Sequence, residues 1–237
     1  VNSPLFKCNP SGLNLQPSGE NSNLSNTHGN DSSFYYDYYD LKSDYGWSEL
    51  YTLIDDVNNS THNLDNVLNI DRALWMHAFN YTLINFDSYV GYGQNYYLYK
   101  SLSNQFQPIL WDLNMSFGGF RLTDATQAYF NGFDIAQAQS MDPLGFLTNS
   151  FLSPRPLITS LLTDSRKQRM YLAHMRTIVE EHFSNQDYLS RAQYLQTLIS
   201  SDVQNDPNKF YTYNDFLDNL NNKVTIPSYI CPGLYQL

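Results

Sequence analysis

The sequence predicts an α+β fold that is mainly helical and carries one small β-hairpin. Apolar residues recur at three- and four-residue steps over long stretches of residues 47–84 and 156–223, as they do in helices. Two short aromatic runs, at residues 95–99 and 106–111, interrupt this pattern and are typical of strands. The 20 Tyr and 14 Phe residues supply enough apolar surface to fold the chain, which excludes intrinsic disorder.

The start of the chain differs in composition from the rest. Residues 1–33 are rich in Asn, Ser, Pro and Gly and show no apolar period, so we expect an irregular leading strap. Residues 34–237 are expected to form the remaining domain. The aromatic cluster at residues 34–39 opens it, and this cluster is compatible with a strand edge or with an aromatic clamp.

Two helices are predicted next. Apolar residues between Trp47 and Val57 lie on one helical face, which predicts a helix over residues 47–57. The pattern at residues 71–84 covers too much of the helical circumference for a surface helix. We therefore expect this second helix to lie at the centre of the domain.

The hairpin is predicted from the two aromatic runs and from the polar link at residues 100–105 between them. Pro108 lies in the second run and lacks the backbone N–H that a ladder needs. It must therefore occupy an edge strand or a position without a ladder bond.

The remainder of the chain is predicted to be irregular and then helical. From Gly119 to about residue 155 no period is visible, and a stretch of this length is either functional or packed over the surface. Four helices follow, at residues 156–162, 165–183, 187–203 and 212–223.

Charge and composition limit the classes of function that are compatible with the sequence. The formal net charge of −10 argues against a nucleic-acid partner, because phosphate contacts need a basic face. No apolar run is long enough for a transmembrane segment. The chain opens on Val1 without a signal peptide, so we expect a processed piece of a longer protein. Cys8 and Cys231 stand at opposite ends, and two unpaired thiols or one bridge are both compatible with that spacing.

Three oxygen-bearing residues are expected to converge at one end of the hairpin. Asn95 stands at the entrance of the first strand and Asp112 at the exit of the second, and in an antiparallel pair these two ends are adjacent. A short loop suffices to bring Asp87 there from the central helix. Carboxylate and amide oxygens suit Mg²⁺, and the order Asp, Asn, Asp is that of protein kinases. The alternative is that both aspartates are helix-cap or turn residues.

The sequence around this cluster resembles a known family. The segments carrying the resemblance are Asn-Phe-Asp-Ser-Tyr at residues 85–89, Gln-Asn-Tyr-Tyr-Leu-Tyr at residues 94–99, and residues 108–120, which contain Trp-Asp-Leu-Asn. They resemble the core of the CotH spore-coat kinase family, particularly its secreted bacterial members. The similarity covers roughly residues 35–235, and the Trp-Asp-Leu-Asn segment is its most specific part.

The resemblance implies an atypical protein-kinase-like C-lobe with a helical tail, which uses ATP and Mg²⁺ or Mn²⁺ to phosphorylate Ser or Thr of a protein substrate. Asp87 matches the family's catalytic aspartate, Asp112 its metal-binding aspartate, and Trp111 a tryptophan beside the nucleotide. A metal role for Asn95 is inferred from the order of residues in kinases. At Asn114 many members carry a second aspartate, and an amide there supplies only a neutral oxygen. A secreted or cell-surface location is also implied.

The resemblance also implies a partner for residues 34–237. Family members carry a β-rich N-lobe with basic segments that hold the nucleotide phosphates, and this sequence shows no counterpart of them. Because a kinase needs both walls of its cleft, we expect the chain alone to be an inactive C-lobe that depends on the missing N-lobe segment.

A different function class remains open at this stage. The weakly charged, tyrosine-rich composition is also typical of an adhesion or carbohydrate-binding module, a pseudokinase whose rings would stack on a glycan. The candidates are Tyr35, Tyr36, Tyr38, Tyr39 and the tyrosines from Tyr89 to Tyr99. A flat exposed row of rings would favour that function, whereas packed rings around Asp87 and Asp112 would favour the kinase.

Overall fold

The fold is mixed, with helices predominating over a small antiparallel sheet. The α+β class expected from the sequence is therefore confirmed. The structure is a computed structural model, and it describes residues 3–12, 21–60, 63–119, 136, 139–145, 154–184, 187–209, 211–222, 224–226 and 229–231.

The sheet has four strands in the order β2-β1-β3-β4, and every neighbouring pair is antiparallel. The predicted hairpin is confirmed as its β3–β4 half. Pro108 lies in β4, which is an edge strand, as its missing N–H requires. The strands are β1 (Leu5–Cys8), β2 (Asp40–Leu41), β3 (Tyr96–Lys100) and β4 (Phe106–Leu110).

The leading strap of residues 1–33 is more regular than the sequence predicts. Strand β1 lies within it and pairs with β3 over its whole length, so Phe6 faces Leu98 and Cys8 faces Tyr96. Alternate residues Phe6 and Cys8 are fully buried. The prediction was wrong here because a four-residue strand is too short to show a period, and its pairing depends on a strand far away in sequence.

Residues 21–25 of the same strap are buried and run through the interior of the domain. Tyrosine hydroxyls satisfy their backbone: Tyr89 donates to the carbonyl of Asn23, Tyr96 donates to that of Ser22, and the Leu24 amide donates to Tyr39. A buried loop needs such partners for its peptide groups. Many of the tyrosines therefore serve as internal donors and acceptors.

Eight α-helices are described. The expected helices at residues 47–57, 71–84, 156–162 and 187–203 are confirmed within two or three residues. The α3 helix is central, as predicted, because Ala73, Leu74, His77 and Ala78 are all buried. The helices are α1 (Trp47–Asn59), α2 (Leu64–Val67), α3 (Ile70–Thr82), α4 (Tyr89–Tyr92), α5 (Pro156–Leu162), α6 (Ser165–Ile178), α7 (Asp187–Asn205) and α8 (Tyr213–Asp218).

The central helix α3 packs chiefly against α6. His174 of α6 stacks on the Trp75 ring with centroids 3.9 Å apart, and its Nε2 lies 2.8 Å from a carboxylate oxygen of Asp71. Helix α6 continues into one π-helical turn, Val179–Phe183, which completes the helix predicted for residues 165–183.

Three further elements differ from expectation. The aromatic cluster at residues 34–39 begins inside a 3₁₀ turn, Ser32–Tyr35, and is not a strand. Helix α8 ends at Asp218, earlier than the predicted residue 223. The side chain of Asn219 donates to the Asn222 carbonyl at 3.5 Å, and asparagine disfavours helix through such local bonds to the backbone. A second hairpin, Val224–Ile226 with Tyr229–Cys231, was not predicted.

The Cys8 thiol is free and buried. No helix among the described residues has both the length and the hydropathy needed to cross a membrane. The predicted irregular stretch from Gly119 to residue 155 lies mostly outside the described residues.

A buried arginine joins the start of α5 to α4. The guanidinium of Arg155 donates to the carbonyls of Val90, Gly91 and Pro154, at 3.2, 2.6 and 3.0 Å. Burial lowers the pKa of Arg155 to about 10, so the group is still charged at neutral pH. Arg155 thus provides hydrogen-bond donors for backbone carbonyls of α4, the short helix that follows Asp87.

We expect Arg155→Met to destabilise the protein by about 2 to 4 kcal/mol, because it leaves buried carbonyls without donors. Urea denaturation monitored by circular dichroism measures the loss. The matched control is Arg169→Met on the exposed side of α6, which should change stability by less than about 0.5 kcal/mol. Equal losses for the two variants would contradict the structural role of Arg155.

Candidate functional site

The antiparallel register of the hairpin brings two of the predicted site residues to one end of the sheet. Tyr96 pairs with Leu110 at the end of the ladder. Asn95 immediately precedes this pair and Asp112 follows it by two residues. The convergence expected from the sequence is thus a direct result of strand pairing.

Both residues have a left-handed backbone, with φ of 57° at Asn95 and 56° at Asp112. Asn and Asp adopt this conformation at lower cost than other residues with a side chain. The chain turns sharply at Asn95 into β3 and at Asp112 out of β4. The residue types at these positions are therefore favourable for the turns as well as for binding cations.

The Asp87 loop begins where α3 ends. Ile84 has a positive φ of 51°, the Asn85 amide donates to the Asn80 carbonyl at 2.8 Å, and Ser88 Oγ donates to the Asn85 carbonyl at 2.6 Å. These local bonds reverse the chain immediately after the helix. Asp87 is consequently held at the start of α4 and is half-buried.

Gly91 allows this loop to be tight. A Cβ atom at position 91 would lie 2.0 Å from the backbone oxygen of Phe86, which is far inside any contact distance. Only glycine therefore fits at this position. The requirement fixes the path of the chain on the C-terminal side of Asp87.

Two backbone hydrogen bonds join the Asp87 loop to the turn after Asp112. The Phe117 amide donates to the Leu83 carbonyl at 2.6 Å, and the Gly118 amide donates to the Ile84 carbonyl at 3.2 Å. Ile84 and Phe117 both have positive φ although neither is glycine. Such backbone strain at large residues is typical of functional sites.

The environment of Asp87 changes its proton affinity. Burial raises the pKa of Asp87 to about 6, and the negative charge of Asp112 acts in the same direction. Hydrogen bonds from Gln94 and Asn95 oppose this rise. Burial has the larger effect on this pKa, and the charge of Asp112 adds to it.

The hydrogen bonds around Asp87 orient its neighbours. Gln94 Nε2 donates to Asp87 Oδ1, and Asn95 Nδ2 donates to the Asp87 carbonyl at 2.9 Å. Because the amide nitrogen of Asn95 is used in this bond, the amide oxygen is the atom that Asn95 can offer to a ligand. Gln94 fixes one carboxylate oxygen of Asp87.

The donor set fits a divalent cation. Two carboxylates and an amide oxygen are hard ligands, and a cation beside them would offset both the burial and the Asp112 charge that raise the pKa of Asp87. Among the described residues no group of three or more His, Cys, Asp and Glu side chains could hold a metal. Any cation at Asp87 and Asp112 would therefore depend on amide oxygens and on its own ligands, such as phosphate.

The remaining two predicted residues are exposed. Trp111 is 48% exposed, and its ring makes an edge contact with Tyr97 at a centroid distance of 5.1 Å. Asn114 lies in the 3₁₀ turn Leu113–Met115. It also lines an apolar cavity of about 520 Å³ between this turn and helices α7 and α8.

The tyrosines proposed as a stacking surface are mostly part of the core. Of those at residues 35–39 and 89–99, Tyr36 is exposed, and the others are buried or half-buried. Tyr89 and Tyr96 pack edge to face at 5.5 Å. These described tyrosines therefore do not form a flat exposed row.

Sequence reasoning missed residues that support the site. Gln94 is buried against Asp87, and Gly91 is required by the loop, yet the sequence predicted no role for either. The signal available for Gln94 was its place in the segment at residues 94–99, directly before Asn95. The hydrogen bonds from the Phe117 and Gly118 amides join backbone groups, so they cannot be predicted from residue types.

A comparison with models of protein families gives a match. A family model described as CotH kinase protein matches residues 2–228, which is nearly the whole chain. A search of curated proteins finds no match. The family match confirms the resemblance carried by residues 85–89, 94–99 and 108–120, and it supports a kinase-like protein.

Replacing Asp87 by Asn is expected to change the pH dependence of stability. A carboxyl whose pKa rises on folding favours the folded state below its unfolded pKa, near 4, and this contribution is lost as the pH rises through about 6. Without divalent cations, the wild-type free energy of unfolding should fall by about 1 to 3 kcal/mol relative to Asp87→Asn across that range.

Urea denaturation at a series of pH values measures this difference. The control is Asp65→Asn, which changes an exposed carboxylate on α2 and should give a curve parallel to wild type. Parallel curves for Asp87→Asn as well would show that the Asp87 carboxyl is not perturbed.

Gly91→Ala is expected to destabilise the protein by more than about 2 kcal/mol, because its Cβ cannot fit beside the Phe86 oxygen. The control is Gly12→Ala, where a Cβ would meet nothing within 4 Å. Thermal unfolding of both variants compares the two sites. A loss at Gly12 as large as that at Gly91 would contradict the tight packing of the Asp87 loop.

Proposed function

The chain belongs to the CotH kinase family, and from this premise we propose that it carries the catalytic and metal-binding side of an ATP-dependent protein kinase. The reaction is transfer of the γ-phosphoryl group of ATP to a Ser or Thr hydroxyl of a protein substrate. The observation that carries this proposal is the meeting of Asp87, Asn95 and Asp112 at one end of the hairpin.

Asp87 is suited to act on the acceptor hydroxyl. A carboxylate with a pKa of about 6 remains largely ionised at neutral pH and accepts a proton more readily than an ordinary aspartate. The hydrogen bond from Gln94 occupies one carboxylate oxygen. The other oxygen is then available to orient the hydroxyl and to take its proton, while the new O–P bond forms and the bond from the γ-phosphorus to the oxygen of the leaving ADP breaks.

Asp112 is suited to hold a divalent cation. Its carboxylate is exposed at the end of β4, whereas the Asp87 carboxylate is partly buried, so the two aspartates are suited to different roles. The Asn95 amide oxygen is the second ligand, and Asn114 is a further neutral oxygen two residues beyond Asp112. When bound, Mg²⁺ or Mn²⁺ would neutralise charge on the phosphates of ATP.

Trp111 is suited to contact the nucleotide base. Its exposed ring stands next to the metal-binding residue and is supported from the side by Tyr97. A partly exposed indole offers a flat apolar surface on which a purine can stack. This role agrees with the position of Trp111 in the segment that is most specific to the family.

The first test measures binding of Mn²⁺ alone, through the loss of its free electron paramagnetic resonance signal. Asp112→Asn keeps the size of the side chain and tolerates the left-handed backbone, but it removes the charge. We expect this variant to bind Mn²⁺ at least about tenfold more weakly than wild type. The exposed control Asp65→Asn should bind as wild type does.

Unchanged Mn²⁺ affinity in Asp112→Asn would contradict the metal assignment. Calorimetric titration with Mn²⁺ and ATP together then tests nucleotide binding, and Trp111→Ala should weaken it while leaving Mn²⁺ affinity alone. Turnover is measured separately, because the sequence predicts weak or no transfer by the chain alone. Robust transfer to a generic protein substrate would contradict that prediction and would support the kinase activity itself.

A further inference from the structure

A second cavity lies at the β1–β2 side of the sheet and has no part in the chemistry assigned to Asp87 and Asp112. Its volume is about 510 Å³, within the usual range for small-ligand sites. It is lined by both aromatic and polar side chains: Lys7, Asn9, Pro10, Ser11, Tyr36, Asp37, Tyr39, Asp40, Leu41 and Trp47.

One wall of the cavity is aromatic. Tyr36 is 53% exposed, and its ring lies against Trp47 with centroids 4.4 Å apart. Trp47 is in turn fixed by an edge contact with Phe6 of the core at 5.2 Å. The exposed Tyr36 ring is supported by the Trp47 indole, and it offers a flat surface on which a partly apolar ligand can stack.

The other walls carry groups that bond to hydroxyls. Asn9, Ser11, Asp37 and Asp40 supply oxygen acceptors, and Lys7 and the Asn9 amide supply donors. The charges nearly cancel, because Lys7 and Lys42, which pairs with Asp40, offset Asp37 and Asp40. In a chain of net charge −10, this local balance favours a neutral ligand over a polyanion.

The cavity is formed by residues that are tied together before any ligand binds. The Ser11 amide donates to the Asp37 carbonyl at 2.8 Å, which joins the loop after β1 to the segment before β2. Lys7 is paired with Asp40 in the strand register. Sites on such fixed elements need little ordering on binding.

We propose that this cavity binds a neutral saccharide, with one sugar ring stacked on Tyr36 and its hydroxyls bonded to the polar walls. Lys7 faces Tyr97 across the β1–β3 pair, and the Tyr97 ring contacts Trp111, so the cavity lies beside the proposed nucleotide face without sharing its residues. A saccharide bound there would hold a glycan-bearing partner close to the phosphoryl-transfer site.

The test is titration of the chain with cellohexaose, maltohexaose, xylohexaose and chitohexaose, by saturation-transfer NMR and then by calorimetry for any that bind. Tyr36→Ala should weaken binding at least about tenfold, whereas Tyr36→Phe should stay within about threefold of wild type. Tyr45→Ala is the matched control, because Tyr45 is 49% exposed and does not line the cavity. Added salt should have little effect on a neutral ligand.

Binding of none of these sugars at about 10 mM would overturn the proposal, and so would equal affinity in wild type and Tyr36→Ala. Binding of a heparin hexasaccharide or a proline-rich peptide in place of every neutral sugar would overturn it too. Asp112→Asn separates this site from the kinase proposal. Sugar binding should survive in that variant, whatever happens to Mn²⁺ affinity.

Discussion

The candidate site depends on the two backbone hydrogen bonds that join Phe117 and Gly118 to the carbonyls of Leu83 and Ile84. The strand register alone aligns Asn95 with the exit of β4, but Asp87 belongs to a loop that leaves a helix and has no strand to guide it. The bonds hold this loop against the turn that carries Asp112. Because Ile84 has a positive φ, this arrangement persists only while the surroundings enforce it. Packing around α3 therefore helps to hold the candidate site in place, although α3 does not contribute Asp87 or Asp112 itself.

A second constraint explains the unusual composition. The buried segment at residues 21–25 brings peptide groups into the core, and these groups need partners there. The phenols of Tyr89 and Tyr96 supply donors, while their rings fill the same space. Phenols do so without bringing formal charge into the interior at neutral pH, because burial raises their pKa further above 10. The tyrosine-rich composition is also typical of an adhesive surface, but in this fold most of the tyrosines considered for that surface lie in the interior.

The sequence was most informative where structure is local. Helices α1, α3 and α5 follow from periodicity and from Pro156 at a helix start, and the hairpin follows from two aromatic runs with a polar link. Strand β1 and the buried course of residues 21–25 could not be predicted, because several of their partners, in β3 and at Tyr89 and Tyr96, lie more than fifty residues away. The convergence of Asp87 with Asp112 was predictable in outline. The bonds that enforce it join backbone groups and are independent of side-chain identity.

The electrostatics of the site connect stability with function. Asp87 is partly buried and has Asp112 as a neighbour, so its ionised form is disfavoured in the folded protein. A more stable protein would replace one of these carboxylates by an amide. Keeping both costs stability at neutral pH, and the cost falls when a cation or a proton reaches the pair. Under the proposed function, the burial and the neighbouring charge that disfavour ionised Asp87 would thus supply part of the free energy with which a divalent metal is held.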